Sequence, residues 1–148
     1  MDKFAVVEKQ FEYKGHDCIC IFTEWGVRCG YVSVDKYKDF TLYNEIDCHG
    51  GITFSDCLPH NYGAKAQFYI GFDCAHCYDA HDFDQAFKYG LIDKKTRDRR
   101  KADFCILHVD PPRSLSYVEN QCRKIADQLE EIKNEQTRKG FSHRRKIS

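Results

Sequence analysis

The chain reads as an α+β fold: an antiparallel β-sheet packed by a C-terminal amphipathic helix, with one short helix besides. Three observations predict it. The first third is a series of short runs rich in Val, Ile, Phe, Tyr and Cys, punctuated by glycine-bearing turns. The last third carries apolar residues at helical spacing. Between them lie no internal repeat and no low-complexity linker that would close one core and open another. At 148 residues the chain suits a single domain, assigned to residues 1–137, followed by a basic, flexible tail at 138–148.

Taken in order, Lys3–Lys9, Phe11–Lys14, Asp17–Thr23 and Val27–Val34 have strand composition, with Gly15 and Trp25-Gly26 as turns. Asp35–Asn44 is a polar connection. Glu45–Cys48 and Ile52–Phe54 are short strands flanking Gly50-Gly51, and Ser55–Lys65, with Pro59 and Asn61-Tyr62-Gly63, is an exposed loop. Ala66–Phe72 is the clearest later strand. Asp82–Tyr89 reads as a short helix with Gly90 beyond its end, and Phe104–Val109 as a strand stopped by Asp110-Pro111-Pro112. Ser116 and Glu119 have capping-box spacing. Val118, Cys122, Ile125, Leu129 and Ile132 then recur at intervals of four and three, one apolar face of a helix laid across the sheet.

Composition excludes several classes. No apolar run approaches the roughly 18 residues of a membrane helix, and no signal-peptide pattern opens the chain, so a soluble protein without a membrane partner is expected. Nine cysteines, an odd number without an export signal, are expected to be reduced thiols. Cys18, Cys20, Cys105 and Cys122 sit in apolar patterns and read as small core residues. Net charge is zero but uneven: residues 1–93 hold 8 Lys/Arg against 15 Asp/Glu, and residues 94–148 hold 15 against 8. Lys94–Lys101 and the tail carry the excess, expected as a solvated loop and a frayed end. The asymmetry permits a homo-oligomer, acidic face to basic face. A neutral total disfavours a DNA mimic, and nucleic acid is not expected as the main target.

Two polar clusters follow directly on strand-like runs: Cys48-His49-Gly50-Gly51 and Asp73-Cys74-Ala75-His76-Cys77-Tyr78-Asp79. Metal is one use of them. Cys74-x-x-Cys77 is a zinc-knuckle spacing that Cys48 and His49 would complete, so Cys74, His76, Cys48 and His49 are candidate ligands. A harder set, His49, Asp73, His76 and Asp79, suits catalytic zinc, manganese or iron. Covalent chemistry is a second use, with Cys29 or Cys74 as nucleophile, His49 or His76 as base and Asp73 as orienter. Binding without turnover is a third. Gly50 and Gly51 let backbone amides approach a ligand, Thr53 adds a hydroxyl, and His49 and His76 are polar anchors. Walker and G-x-G-x-x-G patterns are absent.

The segments Cys29-Gly30-Tyr31-Val32, His49-Gly50-Gly51-Ile52-Thr53-Phe54 and Gly71-Phe72-Asp73-Cys74-Ala75-His76, with Asp79 in register and Lys14-Gly15-His16 upstream, carry a resemblance. Together they resemble a family of small bacteriophage- and prophage-encoded proteins with the signature C-G-Y-V, H-G-G-[IL]-T-[FY], G-F-D-C-A-H. The match covers about residues 14–80 and a C-terminal helix. It departs at Cys77, where the family pattern has a small or aliphatic residue, which weakens the zinc-knuckle reading. The resemblance implies an accessory protein in the cytoplasm of a bacterial host, acting in counter-defence or host takeover. Its partner would be a compact polar, nucleotide-derived ligand, or a host defence protein that it inhibits. It implies no settled activity, and a metal-assisted hydrolase on the same residues stays open.

Overall fold

The computed structural model describes residues 4–35, 43–76, 79–104 and 112–147, with side chains through residue 140 in the last segment. The protein is α+β. Strands β1 (Ala5–Tyr13), β2 (His16–Thr23), β3 (Arg28–Val34), β4 (Phe54–Asp56) and β5 (Phe68–Asp73) form one antiparallel sheet in the order β1-β2-β3-β5-β4. Helices α1 (Phe83–Lys88), α2 (Lys94–Phe104) and α3 (Leu115–Ile147) complete the fold.

The expected strands Lys3–Lys9 and Phe11–Lys14 are one strand, β1. Its register slips between Val7 and Lys9, so Glu8 is an extra residue opposite β2. That bulge breaks the alternation that the sequence shows there. The Lys14-Gly15 turn has positive φ at both residues, 51° and 81°, as a two-residue hairpin of this hand requires. β2 is buried on both sides, which explains its near-continuous apolar run. Cys18 and Cys20 face α3 with Val32, Ile70, Phe72, Val118, Cys122 and Ile125. Ile19 and Ile21 face the other way with Cys29 and Tyr69, under Leu58 and Tyr62 of the 57–65 loop. Asp17 pins that loop, accepting from the Tyr69 hydroxyl, Lys65 N and Gln10 Nε2.

Helix α3 comes close to the sheet at Gly30. A Cβ there would lie 2.5 Å from the Phe72 ring and 2.8 Å from Cys122 Sγ. The helix starts one step before the expected cap: Ser114 Oγ accepts from Tyr117 N at 3.1 Å, so Ser114 and not Ser116 is the capping residue. α3 continues as helix to Ile147, through the segment expected to be a flexible tail. The short helix of Asp82–Tyr89 is α1, capped by Asp82, whose carboxylate accepts from Gln85 N.

Three further expectations are corrected. Glu45–Cys48 is not a strand. Its backbone pairs with glutamine side chains of α3: Asp47 N donates to Gln128 Oε1, Gln128 Nε2 donates back to Asp47 O, and His49 N donates to Gln121 Oε1. The strand expected at Ile52–Phe54 begins at Phe54 and runs to Asp56. Lys94–Lys101 is helical rather than a loop, and α2 extends through Phe104. The rest of the strand expected at Phe104–Val109 lies outside the described residues, as does most of Asp35–Asn44.

Candidate functional site

Three pieces of chain meet at one edge of α3: the 48–51 turn, the segment following β5, and the start of α3. Gly50 and Gly51 take positive φ, 68° and 80°, which turns the chain back after His49. On the second segment, Cys74 N donates to Arg28 O and holds the chain to β3 for one residue past the strand. Asp79 N donates to His76 O at 2.9 Å, which sets Asp79 beside His76.

The centre is the carboxylate of Asp79, 1% exposed. Its Oδ2 accepts from His49 Nε2 at 2.8 Å, His76 N at 3.1 Å and His76 Nδ1 at 3.2 Å. Its Oδ1 accepts from Arg113 Nε at 3.2 Å. Burial, the largest single influence, pushes this carboxyl up, yet the hydrogen bonds from His49, the His76 backbone and Arg113 outweigh it. They hold Asp79 below the usual aspartate value.

These contacts fix the tautomers. With Nε2–H given to Asp79, His49 accepts at Nδ1 from the Tyr117 hydroxyl, 2.7 Å away. His76 gives its Nδ1–H to the same carboxylate oxygen. The His49 and His76 rings lie edge to face with centroids 5.5 Å apart. Gly50 makes that approach feasible, since a Cβ on it would fall 2.0 Å from His76 Cε1 and 2.2 Å from Nε2. Arg113 lies over the Tyr117 ring at 5.1 Å. His49 is sealed at 4% side-chain exposure, whereas His76 and Arg113 reach solvent at 26% and 42%.

His49, His76 and Asp79 thus come together as the sequence reading expects, but the carboxylate that orients the imidazoles is Asp79, not Asp73. Asp73 Oδ1 is 4.0 Å from His76 Nδ1, and its oxygens accept from Thr53 Oγ1 and Ala75 N at 3.1 Å each. Thr53 is therefore a partner of Asp73. Cys29 belongs to the opposite face of the sheet, against Ile19, Ile21 and Tyr69. Burial and the nearby Asp73 push its thiol up to about 12, the reverse of what a nucleophile needs. Cys74 is buried against the α3 core, and burial likewise raises its thiol. Burial pushes Cys48 up to about 11.

Among the described residues, the ligand-type atoms close enough to share one ion belong to His49, His76 and Asp79, within 4.8 Å of one another. Neither Cys48 nor Cys74 joins that group, and Cys77 lies outside the described residues. Two imidazoles and one carboxylate could hold a divalent metal such as zinc or iron. Tyr117 on the second nitrogen of His49 and Arg113 on the second oxygen of Asp79 would then be the supporting contacts.

Arg113, Tyr117 and Gln121 are absent from the sequence-derived set. Tyr117 and Gln121 are four apart on α3, flanking the apolar stripe at Val118 and Cys122, so both face the 48–51 turn. That spacing was readable, but its destination was not. No helix among the described residues is long and apolar enough to cross a membrane. No family model, curated protein or solved structure matches the chain.

Proposed function

We propose that this is a bacteriophage-type accessory protein acting in counter-defence, and that the His49–Asp79–His76 centre binds a compact anionic, nucleotide-derived ligand. The observation that carries the reading is the saturation of one buried carboxylate by four donors from three chain segments. A carboxylate so used is a fixed counter-charge that orients other groups. The groups at the surface of the centre are then the Arg113 cation and the His76 imidazole, beside the tight glycine turn at Gly50-Gly51. Arg113 suits a phosphate by charge and shape. The resemblance to phage-encoded proteins supports the biological setting.

The test is native mass spectrometry of the purified protein for retained small molecules, followed by calorimetric titration with mononucleotides, cyclic nucleotides and inorganic phosphate. Retention or binding that falls at least about tenfold in Arg113→Ala and in His76→Ala supports the reading; tenfold corresponds to 1.4 kcal/mol. Binding unchanged in both folded variants, or no binding across the panel, sinks it.

A second reading, metal-assisted hydrolysis, is favoured by the two-imidazole, one-carboxylate set within 4.8 Å. Elemental analysis of protein purified without chelator decides it. Near one equivalent of zinc or iron, lost in His49→Ala, supports a metal centre, and a negligible amount rules it out.

A further inference from the structure

The three large hydrophobic side chains exposed among the described residues, Phe4, Trp25 and Phe87, belong to one end of the molecule. Phe4 O accepts from Glu24 N, placing the start of β1 beside the β2–β3 turn. Glu24 O in turn accepts from Arg100 Nη1 of α2 at 2.8 Å. The Arg100 guanidinium lies over the Trp25 ring at 3.7 Å, and Arg97 lies over the Phe87 ring at 4.5 Å. Trp25 remains 45% exposed and Phe87 37%.

Helix α2 has no reason to exist as core. None of its residues is buried, and it has no apolar stripe. It carries Lys94, Lys95, Arg97, Arg99, Arg100 and Lys101 against Asp98 and Asp103. Arg97 and Lys101 are engaged by Asp84 of α1. Lys94, Lys95 and Arg99 stay exposed on the helix. An eleven-residue polar helix is marginal alone, so what holds it is these ring and ion contacts together with Phe104, whose ring packs on His81 and Phe83, and they leave Lys94, Lys95 and Arg99 on display.

We propose that the α2 face together with Trp25 is a docking surface for single-stranded nucleic acid. Planar guanidinium and indole groups stacked at one spot give a base a surface on which to continue the stack. The neighbouring lysines and Arg99 meet the phosphates. An acidic protein would also satisfy the lysines, but it lacks the flat base that continues an indole–guanidinium stack, and a polyglutamate arm of the test separates the two. This surface is separate from the Asp79 centre, whose residues lie in the 48–51 turn, the 76–79 turn and the start of α3.

Trp25 is the single tryptophan of the chain, so its fluorescence reports on this surface alone. The probe is an unlabelled thymidine 20-mer titrated at low salt, with polyglutamate as a second polyanion. The expected result is quenching of Trp25 by the oligonucleotide and weakening as salt rises. Lys94→Glu/Lys95→Glu/Arg99→Glu should lose affinity at least tenfold. Trp25→Ala, followed by anisotropy of a labelled oligonucleotide, should lose roughly five- to a hundredfold, the usual worth of one base–aromatic stack. These residues are exposed, so the variants are expected to fold, and a circular dichroism spectrum checks that. No quenching at low salt, equal binding and quenching by polyglutamate, or undiminished affinity in the triple variant overturns the proposal.

Discussion

At Asp79 two opposed effects meet: burial favours the neutral acid and four donors favour the anion, and the donors prevail. A group whose folded pKa is depressed contributes stability above its unfolded value, near 3.9, and loses it as pH falls through the folded value. Asp79→Asn keeps the shape and removes the charge, which should cost about 1.5–3 kcal/mol near pH 7, the range for hydrogen bonds to a charged group. The gap between wild type and variant should narrow below about pH 4, where the carboxylate of the unfolded chain takes up a proton before the folded one does. Urea denaturation at pH 7 and pH 3 measures both, and a gap independent of pH would show that the charge does nothing. Gly50 is the complementary case. Gly50→Ala imposes positive φ on alanine and drives a methyl into His76. The expected outcome is displacement of the His76 ring, read as a shift of its imidazole NMR resonances, with loss of whatever the centre binds. Thiol chemistry follows burial in the same way: brief iodoacetamide treatment of the folded protein should label Cys57, which is exposed, and spare Cys18, Cys20, Cys29, Cys48, Cys74 and Cys122. Rapid labelling of Cys29 or Cys74 would revive the nucleophile reading.

Among the elements, legibility depended on whether the pattern that forms an element is local. β2 and β3 show in the chain as dense apolar runs and α3 as a stripe at intervals of four and three, so their existence and type are read directly. β1 reads as two runs because the polar stretch Glu8-Lys9-Gln10 interrupts its apolar pattern, and the bulge at Glu8 is a property of the pair of strands that no single strand shows. Glu45–Cys48 reads as a strand because Ile46 and Cys48 alternate with Glu45 and Asp47, yet its hydrogen bonds and those of His49 go to Gln121 and Gln128 some 70–80 positions away. The same non-locality hid Arg113 and Tyr117, which join the centre only because α3 crosses the sheet where it does. Gly30 sets that crossing. Gly30→Val should therefore push α3 away from Phe72 and cost about 1–3 kcal/mol by overpacking. The strand on its own would prefer valine. A variant as stable as wild type would mean that α3 yields freely.

Across the whole molecule, one ion pair ties the sheet, α1 and the candidate site together. The Glu8 carboxylate accepts from Arg28 Nε at 2.6 Å and Nη2 at 3.1 Å, and also from the Tyr89 hydroxyl just beyond α1. Arg28 Nη1 donates to Arg113 O, and the Arg28 carbonyl receives Cys74 N. The bulge in β1 thus has a purpose legible only in three dimensions: it turns Glu8 toward Arg28, which holds both chain segments that feed Asp79. With side-chain exposures of 7% and 16%, the pair is too buried to lose one member cheaply. Arg28→Met should cost about 3–5 kcal/mol by leaving Glu8 buried without its cation. Glu8→Gln/Arg28→Met should recover a substantial part, because no uncompensated charge then remains. Both variants should nevertheless loosen the Arg113 backbone, so amide exchange around 113–114 should quicken even where stability is recovered. If the double variant is no more stable than Arg28→Met, the pair is not the unit that matters. If exchange near Arg113 is unchanged, Arg28 stabilises the sheet without positioning the site.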